Sequence, residues 1–180
     1  MRGPFGPAVP PFLYSGRMRT LLRTLLYLAL IVWLGAETFL PVVAATTFTV
    51  LRTNPHTAGT IVGEMLRILH GTGFVAGLVI LALLALAPAW GIYKPHAVLA
   101  PMVLVALMLA CTAYSQFGII RAMERDRAAA GGAIDTADTS NPVTIHFNRL
   151  HNRSEHVEMA ILLLGISTVA LVARAEAARA

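Results

Sequence analysis

At 180 residues the chain is one domain's worth of protein, 57% hydrophobic and only 13% charged, with a mean hydropathy of +0.70. Soluble domains carry nearer ~25% charged residues, which excludes a soluble enzyme, a disordered tail and a nucleic-acid binder and makes the bilayer the solvent. The formal net charge of +5 does not point to nucleic acid, because the basic residues stand at the ends of apolar runs, where topology signals belong.

Residues 1–20, MRGPFGPAVPPFLYSGRMRT, hold four prolines and three glycines and read as an irregular tail, with Met18 as an alternative first residue. A signal peptide over residues 17–45 is the competing reading. It is disfavoured by an overlong apolar region that contains Glu37. Residues 21–180 form a single membrane domain. Its expected spans are about 24–51, 68–87, closed by Pro88, 97–120, which contains no charge, and 150–173. A helix needs ~20 mostly apolar residues to cross the hydrocarbon. The fourth apolar run is short, and Asn141-Pro142 upstream supplies a start signal. The polar connection 121–141 begins as a continuation of the third helix and is ended by Gly131-Gly132. No stretch alternates with period two over barrel-strand length, so the expected fold is all-α, a four-transmembrane-helix bundle.

The basic residues tie at seven on each side, and the four arginines ahead of the first span place the termini in the cytoplasm of an inner-membrane protein. Independently of orientation, the side opposite the termini is crowded. Seven of the nine acids lie there, with His56, His70, His146, His151 and His156.

Among candidate functional residues, Glu37 stands near the middle of the first run and is expected near mid-bilayer. A carboxylate there costs roughly 2.5–3.5 kcal/mol on insertion scales and usually faces a partner or a cavity. Pro41 removes the N–H that the Glu37 carbonyl would accept, so a kink is expected. A proton or cation site and a neutral carboxyl bonded to a neighbouring helix are both consistent with this pattern. In FNRLHNRSEHVEM, His151, Glu155 and Glu158 share one polar stripe, flanked by Phe147, Leu150, Ser154 and Val157. With a second helix such a stripe suits zinc or another transition metal, through His70, His151, Glu155 and Glu158. A hydrated helix start with local ion pairs is the alternative. His70 opens the second span beside Gly73 and Gly77, a GxxxG face that permits close helix approach. His70 or His151 could also ligate haem or chlorophyll. Gln116 and Ser115 add polar groups. Met108 and Cys111 offer soft ligands or ordinary packing. The lone Cys111 excludes an internal disulfide and a thiolate zinc cluster.

Trp33-Leu34-Gly35 with Glu37, His70 at the start of the second span, and Phe147…Leu150-His151-x-x-Ser154 resemble the transmembrane protein 205-like family, a four-span domain of unknown function. The resemblance covers about residues 24–172. The family often closes its third span with proline, where this chain has Gly118-Ile119-Ile120-Arg121. The resemblance implies a small multi-pass membrane protein without an established activity.

No hydrolase, kinase or nucleotide motif is present, and no cofactor is required. The expectation is therefore a non-enzymatic membrane protein. Its pocket, lined by Glu37, His70, Gln116, His151, Ser154, Glu155 and Glu158, would bind a proton, metal cation or small ligand. The rival is an accessory subunit of a larger membrane complex, possibly electron-transfer or photosynthetic, with lipid and other membrane subunits as its partners. His70 and His151 are expected to face each other.

Overall fold

Asparagine followed by proline starts two of the helices. The asparagine side chain accepts from an orphan N–H of the first turn, and proline at the first helical position has no N–H to leave unsatisfied. In the computed structural model, Asn54 Oδ1 accepts from the Thr57 amide at 3.1 Å and Asn141 Oδ1 from the Val143 amide at 2.9 Å. The structure describes residues 11–132, 134, 138 and 140–177. The elements are α1 (Pro11–Val50), α2 (Pro55–Leu86), α3 (Pro95–Ala113), a π-helical turn (Tyr114–Ile120), α4 (Arg121–Ala129) and α5 (Pro142–Ala177). Among the described residues there is no strand. Four helices, with α3 running through the π turn into α4, are long and apolar enough to cross a membrane. The fold is an all-α bundle of four membrane helices.

Two boundaries differ from the sequence expectation. The stretch 1–20, read as irregular, is helical from Pro11 onward; proline is tolerated in a first turn, and residues 1–10 lie outside the described residues. Helix α2 starts at Pro55 rather than near 68, because Asn54-Pro55 is the same start signal as Asn141-Pro142. As expected, α1 continues past Pro41 as one element, to Val50. Elsewhere the signals hold: α2 ends before Pro88, α5 starts at Pro142, and Gly131 and Gly132, at φ 73° and 93°, follow α4.

α1 packs along α2, α2 along α3, and α3 along α5, with a lighter α1–α5 contact closing the bundle. The core runs from Leu22, Leu26, Leu30 and Trp33 on α1 through Ile80 and Leu84 on α2 to Met108 and Ile161. Leucine, isoleucine and valine side chains on the opposite faces are exposed, as lipid-facing surface requires. Hydroxyls on these faces are satisfied within their own helix: Thr38 donates to the Leu34 carbonyl at 2.7 Å and Thr46 to that of Val42 at 2.8 Å.

Two apolar stretches have the length of a bilayer core. The 21 steps from Arg67 to Pro88 and the 21 from Arg153 to Arg174 each measure ~31 Å at 1.5 Å per residue, which matches a core of about 30 Å. Glu37 is 14 steps from Arg23, or ~21 Å, which places it in the half of α1 nearer the crowded side. The end of α1 runs beside the first third of α2, to which the tight turn at 51–54 connects it.

Gly73 and Gly77 form the slot that receives the buried Trp33 indole. A Cβ on Gly73 would stand 2.7 Å from Trp33 Nε1, and one on Gly77 2.8 Å from Trp33 Cζ3, whereas Gly71 has nothing within 4 Å. Gly73→Ala should therefore lower unfolding stability in detergent by about 1–3 kcal/mol through overpacking. Gly71→Ala should be neutral or slightly stabilising through helix propensity. Parallel denaturation curves of the two variants check the contrast.

Candidate functional site

Consecutive residues of an α-helix point ~100° apart, so Ser115 and Gln116 would ordinarily serve different neighbours. The π turn changes this: its wider winding turns both towards one cluster, and such turns occur frequently at functional sites. Ser115 Oγ donates to Glu158 Oε1 at 2.8 Å. Gln116 Oε1 lies 2.9 Å from His70 Nδ1, and His70 Nε2 lies 3.0 Å from Glu158 Oε1. The His70 side chain is completely buried. One imidazole thus joins α2 to the π turn and to α5.

As placed, both ring nitrogens face oxygen acceptors, which is the bonding pattern of an imidazolium against a carboxylate. A neutral ring would need a proton on the glutamate or the amide turned to present its NH₂. The second carboxyl oxygen of Glu158, Oε2, is buried without a hydrogen-bond partner. From α1, Trp33 Nε1 donates to Glu37 Oε1 at 3.2 Å. Glu37 is itself buried and within electrostatic reach of both Glu158 and His70. Ser154 is buried one turn before Glu158.

Four of the expected site residues, Glu37, His70, Gln116 and Glu158, therefore share one cluster, with Ser154 beside it. His151 and Glu155 do not join. They are exposed and pair with each other at 3.4 Å, because α5 turns its Leu150–Ser154–Ile161 face inward. His70 meets Glu158 and not His151, and counting from the caps explains why: His70 lies 16 residues after Asn54, Glu158 lies 17 after Asn141, and His151 only 10. Among the described residues no group of three or more His, Cys, Asp or Glu side chains is arranged to hold a metal. Both His70 nitrogens are engaged, so none is free for a porphyrin iron or chlorophyll magnesium. Met108 is a fully buried packing residue.

A second polar cluster, on the side of the termini, has no counterpart in the sequence reading. Glu176 Oε1 accepts from Tyr93 at 2.7 Å, its Oε2 from Tyr27 at 3.2 Å, and Arg23 Nε lies 3.3 Å from Oε1. Four separated residues meet here with no local spacing to announce them. The half-buried arrangement clamps the end of α5 to α1 and to the 87–94 connection.

The fold and its buried polar cluster define a polytopic, four-helix integral membrane protein. The chain belongs to the family described as Domain of unknown function (DUF4149), which it matches over residues 28–130. Neither the curated proteins nor the solved structures contain a match to it. The family match covers Glu37, His70 and Gln116 and ends before α5, which supplies Glu158.

Two predictions follow from these contacts. His70→Leu and Glu158→Leu should each cost about 3–5 kcal/mol, because each leaves a buried charge or acceptor unpaired. The double variant should cost less than the sum, and a double-mutant cycle in detergent measures the coupling. On the opposite side, burial, followed by the hydrogen bond to Glu176 and its negative charge, pushes the Tyr93 phenol above its usual value. An unfolded tyrosine ionises near pH ~10 while the folded one keeps its proton to higher pH. The folded state then binds more protons, and this contribution to stability, intact below pH ~10, falls as pH rises beyond it. Alkaline denaturation should show that loss in wild type and less of it in Tyr93→Phe.

Proposed function

We propose that this is a non-enzymatic protein of the bacterial cytoplasmic membrane whose His70–Glu158–Glu37 cluster holds an exchangeable proton. The observation that carries the reading is a fully buried histidine shared between Gln116 and Glu158, with Glu158 Oε2 unpartnered beside it. Two carboxyls and one imidazole are collectively neutral when they hold two protons between them. Low-dielectric surroundings favour that neutral state, and a single proton gained or lost changes the charge of the whole unit. A proton is the ligand that fits, since the cluster is closed by direct hydrogen bonds.

Access is unequal. His70 is three residues inside Arg67, or ~4.5 Å along the helix. Between this cluster and Glu176, the buried polar side chains among the described residues are Thr112 and Thr168, whose hydroxyls donate to their own helix at 2.9 Å. The proton exchanges with the crowded side. The four arginines ahead of and at the start of α1 support cytoplasmic termini, which makes the crowded side the outer one. Glu37 and His70 lie within the stretch that matches the family of unknown function and belong to this cluster.

A second reading, an accessory subunit of a larger membrane complex, is favoured by a groove of about 660 Å³ between α1 and α2, lined by Leu25, Leu28, Val32, Ile68, Val75 and Val79.

Trp33 provides the test, since its indole N–H touches Glu37. In a Trp90→Phe background it is the one remaining tryptophan. Its emission should show a pH transition between about pH 4 and about pH 9. That transition should vanish in Glu37→Gln and shift in Glu158→Gln. Emission flat over this range in the folded protein, with all three variants superimposable, overturns the proton reading.

A further inference from the structure

Away from the cluster, a recess of about 590 Å³ opens where the π turn passes into α4, lined by Phe117, Arg121, Glu124, Arg125 and Ala128. Arg121 and Arg125 are both exposed and stand one turn apart on the same face. Among the described residues neither meets a carboxylate. The one acid in the recess, Glu124, is already engaged by Arg67 from α2, so among the described residues the two guanidiniums have no carboxylate partner.

The floor of the recess is apolar. The Arg121 guanidinium lies 5.0 Å above the Phe117 ring centroid, and Phe117 stacks on Phe74 of α2, with centroids 6.0 Å apart and planes 26° apart. Depth fixes the chemistry. Gln116 reaches the buried His70, and Arg121, five residues on, is about one helical turn nearer the crowded-side surface. Phe117 therefore sits at the top of the hydrocarbon and the two arginines in the headgroup layer. A positively charged rim over an aromatic, lipid-facing floor matches a molecule with an anionic head and an apolar tail. Arginine's planar fork suits phosphate oxygens.

We propose that this recess is a binding site for an anionic phospholipid, its phosphate between Arg121 and Arg125 and its acyl chain over Phe117 and Phe74. The site is independent of the proton reading, because none of its residues contacts His70, Glu37 or Glu158 through a hydrogen bond or ion pair given above.

Native mass spectrometry of the full chain in a neutral detergent tests it, with phosphatidylglycerol and phosphatidylcholine of identical acyl chains as the probes. Both lipids carry a phosphate, but only the first is net negative. Wild type should prefer phosphatidylglycerol. Arg121→Gln with Arg125→Gln should lose roughly 30-fold of that affinity, and Arg125→Gln alone, at an exposed position, roughly 5-fold. Arg19→Gln with Arg174→Gln, on the other side, should leave the preference intact. Equal binding of the two lipids by wild type, or a preference that survives in both the single and the double variant, overturns the proposal. Full competition by inorganic phosphate also overturns it, because it would define a free-anion site with no use for the aromatic floor.

Discussion

Hydrocarbon offers no water to a buried polar group, and His70 is the point where this constraint acts most strongly. Its side chain is wholly buried and has two ring nitrogens to satisfy, which α2 alone does not do. The partners come from the π turn, at 2.9 Å, and from α5, at 3.0 Å. Helix association in a bilayer draws little from apolar burial, because lipid tails are as apolar as leucine. A hydrogen-bonded imidazole therefore specifies more than a comparable patch of leucines would. It sets the depth of α2 against α5 and the rotation of the π turn, and it leaves the aliphatic faces free for lipid.

Much of this was legible in the sequence, and the limits are instructive. The four spans follow from composition and run length, and Asn141-Pro142 located the start of α5. The identical pair at Asn54-Pro55 was masked by the more hydrophobic segment beyond it, so α2 was expected too short. That omission matters for the site. Counted from the two caps, His70 and Glu158 stand at nearly the same depth, so the pairing is readable once both helix starts are recognised. Pairing His70 with His151 placed both histidines near the N-terminal ends of their helices, whereas His70 stands 16 residues beyond its cap and His151 only 10. The π turn left no such signal. Ser115 and Gln116 were visible as polar residues, but their joint convergence needs a helical turn that local propensity does not announce. The role of Trp33 was hidden for a related reason: the glycines at 73 and 77 showed a face for close approach without showing which side chain fills it.

The polar groups are arranged in two layers of different character. On the side of the termini, Glu176 accepts from two phenols and lies beside Arg23, so its charge has an opposite partner and is partly exposed. That is a clamp. On the crowded side, two carboxyls and one imidazole are within electrostatic reach of one another, Glu158 Oε2 has no hydrogen-bond partner, and among the described residues no arginine or lysine pairs with them. Beyond them, towards the crowded-side surface, several charges pair again. Arg67 binds Glu64 and Glu124, and His146 Nδ1 lies 2.7 Å from Asp126 Oδ2. Among the described residues the buried carboxyl and imidazole side chains, Glu37 and His70 with Glu158 beside them, are therefore confined to one depth.

That confinement bears on what the proposed proton site can do. A device that carries protons across a bilayer needs titratable or hydrated groups at successive depths. Here Glu158 and Glu176 are 18 residues apart on α5, or ~27 Å along the helix. The buried residues of α5 between them, Ile161, Gly165, Thr168 and Val172, offer one hydroxyl, already bonded to its own helix. A proton arriving at His70 would find its exit on the side from which it came. On the proposed reading, the cluster registers the proton activity of one compartment through the charge it holds, and the helices it joins convert that charge into packing. Trp33 lies at the junction of the two effects, bonded to Glu37 and lodged between Gly73 and Gly77, so a change of charge at the carboxyl acts directly on the α1–α2 contact.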